Sequence, residues 1–261
     1  MNEVSKAQAE FMKKHRRRGF LVAAVRWALL IALIAVWEIG ARIGWIDAFL
    51  LSSPSRMLET TLDLYRQGVL FEHIFVTVFE TLAGFLLGGV IGFVIAVLLW
   101  WFDFARRVLD IYIVVLNSLP KIALGPILIV WMGAGIPAII AMAVLISVVV
   151  TLVTVLNGFL EVSQEKIFLM RSFGATKSQI FSMVVLPSGK PAILSAIKLN
   201  IGLSWVGVIV GEYLVSRAGL GYLIVYGGQV FQLDLVMAST VILCICAVAM
   251  YFMTAWLERR G

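Results

Sequence analysis

Long apolar runs separated by short polar segments constrain this chain more than any other feature of its sequence. Hydrophobic residues make up 62% of its 261 residues and charged residues 14%, a balance far from that of a soluble globular domain. A helix needs about 20 predominantly apolar residues to cross a bilayer, so the chain has room for about six spans with short loops. The sequence therefore predicts an all-α polytopic membrane protein, with spans at about 20–45, 73–101, 109–132, 136–158, 191–214 and 234–257.

The basic residues predict how these spans are oriented. Residues 1–19 are a basic tail with six lysines and arginines, and residues 20–261 form the transmembrane domain. With this tail in the cytoplasm, cytoplasmic segments hold 14 of the 21 basic residues and outer segments hold three. Because lysine and arginine concentrate in cytoplasmic loops, we expect both ends of the chain to be cytoplasmic. Orientation in a membrane also accounts for the net charge of +6 without nucleic acid as a partner.

Two patterns predict how individual spans pack and bend. Gly84, Gly88 and Gly92 recur every fourth residue in the second span, and small residues at this spacing let helices approach closely. Pro120 interrupts the third span and lacks the backbone N–H that a continuous helix uses, so we expect a kink or a break there.

The longest polar break, residues 159–190, lies between the fourth and fifth spans and must leave the bilayer. The sequence predicts a cytoplasmic hairpin of two short helices. The first helix ends at Gly174, which can adopt the left-handed conformation of a helix C-cap. The second begins at Thr176, where Thr-x-x-Gln has the spacing of a capping box, and ends before Pro187.

Helical winding divides the side chains of the first hairpin helix into two faces. Phe168 points toward the polar face, where a lone aromatic side chain is typical of an anchor for a partner's groove, although a chance exposed phenylalanine is the alternative. The apolar positions on the other side are Ile167, Leu169, Met170 and Phe173.

This hairpin carries a resemblance to a known family. Gly174, nine residues, and then Val-Val-Leu-Pro at 184–187 resemble the coupling loop of ATP-binding cassette importer permeases. That signature is Glu-Ala-Ala, three residues, Gly, nine residues, then Ile-x-Leu-Pro. Gly-Leu-Gly-Tyr at 219–222 and the segment 51–58 are similar to the subfamily that serves nitrate, sulfonate, taurine or bicarbonate uptake. The chain departs from the signature at 168–170, where Phe-Leu-Met replaces Glu-Ala-Ala, so the contact made by the family's glutamate does not carry over.

The resemblance implies a type I importer permease fold in a bacterial cytoplasmic (inner) membrane. It also implies three protein partners besides membrane lipid: a separate ATPase that holds ATP and Mg²⁺, a second permease copy in a homodimer, and an extracytoplasmic substrate-binding protein. No cofactor is expected in this chain itself. The hairpin positions that would meet the ATPase are Glu165, Phe168, Leu169, Met170, Arg171, Gly174, Ala175, Leu186 and Pro187.

An enzymatic function finds no support in the sequence. Gly-Leu-Ser at 202–204 is followed by Trp205 rather than by the glycine of a nucleophile motif. A general base for Ser204 would have to be His15 or His73, which are predicted to lie in the tail and at the mouth of the second span. No Gly-x-x-x-x-Gly-Lys-Ser/Thr phosphate loop occurs, so we do not expect this chain to bind ATP in that manner.

A secondary transporter or channel without an ATPase remains the alternative. Ion-coupled transport usually requires acidic groups in mid-span, and the candidates are Glu38, Glu80 and Glu212, each near the outer or interfacial end of its span. Glu212 is interpreted as a hydrogen-bonding group at the end of the fifth span.

Polar residues within the third to fifth spans are candidates for lining a translocation pathway. Polar side chains in spans also bond neighbouring helices, and this second interpretation stays open for the whole group. The candidates are Asn117, Ser118, Thr151, Thr154, Asn157, Asn200 and Ser204.

Overall fold

A computed structural model describes the backbone of residues 2–258 and the side chains of residues 11, 19–254 and 256. Regular structure in this part of the chain is helical. The chain also contains a 3₁₀ turn (Lys121–Leu124) and a π-helical turn (Phe181–Val185). The helices are α1 (Asn2–Arg42), α2 (Ala48–Leu51), α3 (Pro54–Arg66), α4 (Leu70–Trp101), α5 (Asp103–Ser118), α6 (Gly125–Met132), α7 (Ile136–Leu160), α8 (Gln164–Ser172), α9 (Lys177–Ile180), α10 (Leu186–Ser188), α11 (Lys190–Val215), α12 (Leu220–Gln229) and α13 (Leu233–Glu258).

Among the residues that the structure describes, five helical segments are long and apolar enough to cross a membrane. A sixth crossing results if α5 and the segment Lys121–Met132 form one span, although the two halves meet at 89°. The predicted fold class, an all-α protein with about six spans, is confirmed. The five unbroken segments are Gly19–Arg42, Leu70–Trp101, Ile136–Leu160, Lys190–Val215 and Leu233–Thr254.

Several element boundaries differ from those expected from hydropathy. The basic tail is continuous with the first span, because α1 begins at Asn2 and lysine and arginine are good helix formers. The segment before the second span divides into α2 and α3, and α4 starts at Leu70 rather than at residue 73. Hydropathy marks the apolar core of a helix, whereas the helix itself extends into polar sequence.

The third predicted span is sharply bent at Pro120, where a kink or a break was predicted. It begins earlier than expected, at Asp103, whose carboxylate pairs with Arg106 and with Arg107 at 2.8 Å in the first turn of α5. Its α-helical hydrogen bonding ends at Leu119, because Pro120 has no N–H to continue it. The chain then turns through Lys121–Leu124 into α6.

The centre of the bundle is formed by α4, α7 and α11, which pack against one another along small residues. Gly84 faces Ala143, Gly88 faces Ser147 and Gly92 faces Thr151. A Cβ atom at Gly92 would lie only 2.8 Å from the Cβ of Thr151, so the two helix backbones approach closely. The predicted small-residue contact of the second span is therefore confirmed.

The end of the bundle opposite the hairpin is joined by polar contacts and a small apolar cluster. The Arg56 guanidinium bonds the Asp234 carboxylate at 2.6 Å, and the Ser52 hydroxyl donates to the same carboxylate at 2.6 Å. Leu64, Leu70, Leu223 and Leu235 pack together beside this pair. These contacts fix α3 to the start of α13.

Two glycines of α11 provide a matched test of the close packing. A Cβ atom at Gly207 would lie 2.5 Å from the Ala143 Cα, whereas a Cβ atom at Gly202 meets nothing within 4 Å. We expect Gly207→Ala to lower the free energy of unfolding by about 1–3 kcal/mol through overpacking. Gly202→Ala should leave it unchanged or slightly raised, since alanine is the better helix former. Thermal unfolding of both purified variants in one detergent measures the difference, and equal stability would contradict the packing described here.

Candidate functional site

The hairpin between α7 and α11 has a sharply defined turn. Gly174 has a φ of +77°, and the N–H groups of Gly174 and Ala175 donate to the carbonyls of Arg171 and Met170 at 2.9 and 3.0 Å. These two bonds make a Schellman motif, in which a glycine without a Cβ atom avoids the strain of a left-handed backbone. The predicted C-cap of the first helix is confirmed.

The second helix of the hairpin starts with the predicted capping box. The Thr176 N–H donates to the Gln179 Oε1 at 2.8 Å, and the Gln179 N–H donates to the Thr176 hydroxyl at 3.4 Å. Each bond supplies an acceptor for a backbone N–H group that a helix start otherwise leaves unpaired. The turn and the helix start follow each other directly, so the hairpin tip is held by hydrogen bonds on both sides.

The predicted end of this helix before Pro187 is wrong. Helical structure continues from Lys177 through the π turn and α10 into α11. The Leu186 N–H donates to the Phe181 carbonyl across the wide π turn, and Pro187 then occupies the first turn of α10. A proline is tolerated there because the π turn has already interrupted the regular α-helical hydrogen bonding, so the missing N–H of Pro187 breaks no continuous ladder.

The side chains of α8 divide differently from the expected two faces. Ile167 and Met170 pack into the apolar cluster beneath the hairpin, and Phe168 is exposed as predicted. Leu169 and Phe173 were predicted to share a face with Ile167 and Met170. That prediction is wrong, because both side chains are exposed, at 56% and 79%. A nine-residue helix contacts the bundle only along the narrow strip formed by positions three apart, so residues beside that strip stay in solvent.

Two exposed apolar side chains of α8, Phe168 and Leu169, and that of its C-cap residue Phe173 form what we call the hairpin apolar surface. Phe168 and Leu169 also border an open depression of about 560 Å³, together with Gln164, Glu165 and Ser172. An exposed apolar group ringed by polar side chains is typical of a protein-interaction site.

The remaining predicted hairpin positions surround this surface or lie behind it. Glu165, Arg171 and Pro187 are exposed, and Ala175 is half-buried. Leu186 is half-buried against the apolar cluster that also contains Ile167 and Val185. The predicted group therefore comprises an exposed surface and a set of residues that hold it in place.

One anchor of the hairpin was not identified from the sequence. The Lys177 ammonium donates to the Trp101 carbonyl at 2.5 Å and lies 5.6 and 5.7 Å from the ring centres of Trp100 and Trp101. The Phe181 ring packs 4.9 Å from Trp100 and 5.6 Å from Phe159. A signal for this contact existed, since paired tryptophans at the end of a span indicate an interfacial anchor.

The predicted pathway residues do not form one surface. Thr151 and Asn200 line an apolar cavity of about 280 Å³ between α4, α7 and α11. The Asn200 amide donates to the Phe85 carbonyl at 3.0 Å, and the Ser204 hydroxyl donates to the Asn200 Oδ1 at 3.3 Å. The other candidates lie outside the lining of this cavity: Asn117 and Ser118 are exposed on α5, Thr154 is half-buried and Asn157 is exposed.

The acidic candidates have distinct surroundings. Glu38 is paired with Arg42 at 2.7 Å and accepts bonds from Ser55, near the end of α1. Glu80 and Glu212 are both buried, and Glu212 accepts from the Thr77 hydroxyl at 2.6 Å.

His73 and Ser204, the residues considered for a nucleophile and its base, bond to other partners. The His73 Nδ1 accepts the Gly219 N–H at 2.9 Å, and the Ser204 hydroxyl bonds Asn200. These two described side chains therefore make no serine–histidine pair.

Comparison with known proteins points to membrane transport. A family model described as "Binding-protein-dependent transport system inner membrane component" matches residues 88–260. The putative aliphatic sulfonates transport permease protein SsuC of Escherichia coli (strain K12) is 26% identical over 225 residues, which cover 86% of each chain. The formylaminopyrimidine transport permease protein ThiX of Halalkalibacterium halodurans is 32% identical over 191 residues, covering 73% of this chain and 75% of that one.

A solved structure shares the fold. A chain of the MetNI methionine ABC transporter, in an inward-facing conformation, superposes with a TM-score of 0.65 and 23% sequence identity. The superposition covers 74% of this chain and 95% of the other. At this identity the likeness establishes the helical architecture alone.

The anchoring role of Lys177 can be tested by hydrogen exchange in the full-length chain. Lys177→Met removes the bond to the Trp101 carbonyl and the charge over the indole rings. We expect the amides of residues 177–186 to exchange about tenfold faster, which corresponds to the loss of roughly 1.4 kcal/mol. Lys177→Arg should restore most of the protection, and Lys166→Met, which changes an exposed lysine of α8, should have no effect. Unchanged protection in Lys177→Met would contradict the role of this contact.

Proposed function

Because this chain belongs to the family of binding-protein-dependent transport system inner membrane components, we propose that it imports a small anion, with a sulfonate as the leading candidate. Membership makes it a multi-pass inner-membrane permease of an ABC importer and not itself an ATPase. Such a permease implies a separate ATPase and a binding protein as partners. The alternative of a transporter or channel that works without an ATPase is thereby set aside.

The hairpin apolar surface is the observation that carries the coupling part of this proposal. Phe168 enters a groove of the ATPase as the central contact, flanked by Leu169 and Phe173. Large buried side chains at the centre of an interface carry most of its binding energy, and the charged rim contributes mainly orientation. Glu165 and Arg171 form that rim. ATP and Mg²⁺ stay in the partner, and no cofactor is assigned to this chain.

The hairpin transmits force because it is bonded to the bundle on several sides. The Schellman turn at Gly174 and Ala175 fixes the angle between its two helices. Leu186 and Pro187 lie in the continuous helical path that leads from the hairpin into α11. Closure of two ATPase subunits would therefore displace the ends of α4, α7 and α11 rather than bend the hairpin. This mechanism requires the hairpin and both chain ends to lie in the cytoplasm.

The pathway is proposed to lie between two copies of this chain in a homodimer. The packed centre of one copy contains Thr151, Asn200 and Ser204. These residues would support the wall of the pathway without contacting the solute. Thr154 and Asn157 on α7, and Asn117 and Ser118 on α5, are accessible enough to meet a solute directly.

The name of one relative supports the substrate proposal, and the name of another gives the competing class. The SsuC relative is named for aliphatic sulfonates, and the ThiX relative is named for formylaminopyrimidine. The sequence similarity at 51–58 and 219–222 favours the anion class, which includes sulfonate, taurine, nitrate and bicarbonate.

Coupling is tested by the effect of Phe168→Ala on ATPase association. Loss of a central aromatic anchor should weaken co-purification of the ATPase about 30-fold or more, which corresponds to at least about 2 kcal/mol. Phe75→Ala is the matched control, because Phe75 is similarly exposed but lies on α4 near the opposite end of the bundle. Unchanged ATPase binding in a well-expressed Phe168→Ala variant would remove Phe168 from the interface.

The substrate class is tested by uptake in cells that express this chain with its ATPase and binding protein. We expect saturable, ATP-dependent uptake of labelled ethanesulfonate that unlabelled taurine reduces. Phe168→Ala should abolish this uptake without lowering the amount of the permease in the membrane. Uptake of a formylaminopyrimidine, with no uptake of either sulfonate, would contradict the proposed anion class.

A further inference from the structure

A pair of acidic side chains is buried at the end of the bundle opposite the hairpin. Glu80 of α4 is 1% exposed and Glu212 of α11 is 2% exposed. The Thr77 hydroxyl, one helical turn before Glu80 on α4, bonds the Glu212 carboxylate at 2.6 Å, and the two buried carboxyl groups are neighbours there. Burying even one carboxylate is costly without hydrogen-bond partners or an opposite charge.

Glu212 has the surroundings of an ionised carboxylate. It accepts hydrogen bonds from the Thr77 hydroxyl at 2.6 Å and from the backbone N–H group of Gly221. Each of these partners is a donor, and together they can replace most of the hydration that the carboxylate loses. The glycine is required for this approach, because a Cβ atom at Gly221 would lie 2.7 Å from the Glu212 Oε2.

Glu80 has the opposite surroundings. Neither of its carboxyl oxygens has a donor among the described residues, although both are buried. Ion pairs between described side chains lie elsewhere, on Glu38, Asp63, Asp103 and Asp234, and include neither carboxyl of the pair. Two adjacent buried carboxyl groups cannot both be ionised without a cation between them, because their repulsion adds to the cost of desolvation.

We propose that Glu80 holds a proton and donates it in a hydrogen bond to the Glu212 carboxylate, so that the pair forms a buried proton-binding site. One negative charge then remains, on the oxygen atoms to which the Thr77 hydroxyl and the Gly221 N–H already donate. The proton supplies the single donor that the site lacks. Thr77 has a second function, because its hydroxyl oxygen also accepts the Leu220 N–H at 2.7 Å.

The proton site secures the turn between α11 and α12. Along this turn, the N–H groups of Gly219, Leu220 and Gly221 donate in succession to His73, Thr77 and Glu212. An ionised Glu80 would place a second charge beside these bonds and favour separation of the turn from α4.

The other titratable groups around the pair do not supply the missing positive charge. His73 of α4 accepts the Gly219 N–H at Nδ1 and stacks on Tyr222 at 6.0 Å, so its described bond is that of a neutral ring. Tyr213 adjoins Glu212 on α11, and Arg217 in the turn is exposed. A proton is therefore the ligand that the described surroundings favour over an arginine or lysine partner.

The test compares two isosteric variants of the full-length chain in lipid nanodiscs. Glu80→Gln keeps a donor toward Glu212, so its melting temperature should stay within about 2 °C of the unmodified protein. Glu212→Gln replaces one of the two acceptor oxygens with an NH₂ group, so that a single oxygen is left for the donors that bind Glu212. The melting temperature should therefore fall by at least about 5 °C. An equal or larger loss in Glu80→Gln would overturn the proposal.

Infrared spectroscopy decides the protonation state even if Glu212→Gln fails to fold. The unmodified protein should show the carbonyl band of a buried carboxylic acid at pH 8, and Glu80→Gln should remove it. Glu59→Gln, which alters an exposed glutamate of α3, should leave the band intact. Absence of the band, or a melting temperature that depends on the choice of sodium or potassium, would show a bound cation in place of the proton and overturn the proposal.

Discussion

The approach of α4, α7 and α11 over small side chains is the constraint on which the other features depend. Lipid is as apolar as leucine, so burial from water does not hold these helices together, and close van der Waals contact has to do so. Gly84, Gly88 and Gly92 allow that contact on α4, and Gly207 and Gly211 allow it on α11. The same proximity brings Asn200 within reach of the Phe85 carbonyl and Glu80 within reach of Glu212.

The tight centre also explains how a small hairpin can act on the bundle. Phe159 is 1% exposed and lies where α7 meets the aromatic rings of Phe93 and Phe181. Close-packed interiors transmit displacement instead of absorbing it. In the proposed coupling, a displacement of α8 would reach α7 through buried side chains and would reach α4 through the tryptophan pair that Lys177 contacts.

Local signals in the sequence predicted local structure well. Gly174 and Thr176 act within a few residues of the chain, so their turn and cap could be derived without knowledge of the fold. The exposure of Leu169 and Phe173 could not, because it depends on which strip of α8 touches the bundle. The contacts of Lys177 with Trp101 and of Glu80 with Glu212 join residues 76 and 132 positions apart, and no periodicity in the chain encodes such pairings.

The π turn at Phe181–Val185 has a consequence for the relation between hairpin and membrane helix. A π turn holds one residue more than an α-helical path over the same rise. If the same residues were wound as a regular α-helix instead, everything that follows would rotate by about 100° relative to α9. The face that α11 turns toward α7 therefore depends on this turn keeping its wide winding, which accommodates one extra residue without rotating the membrane helix that follows.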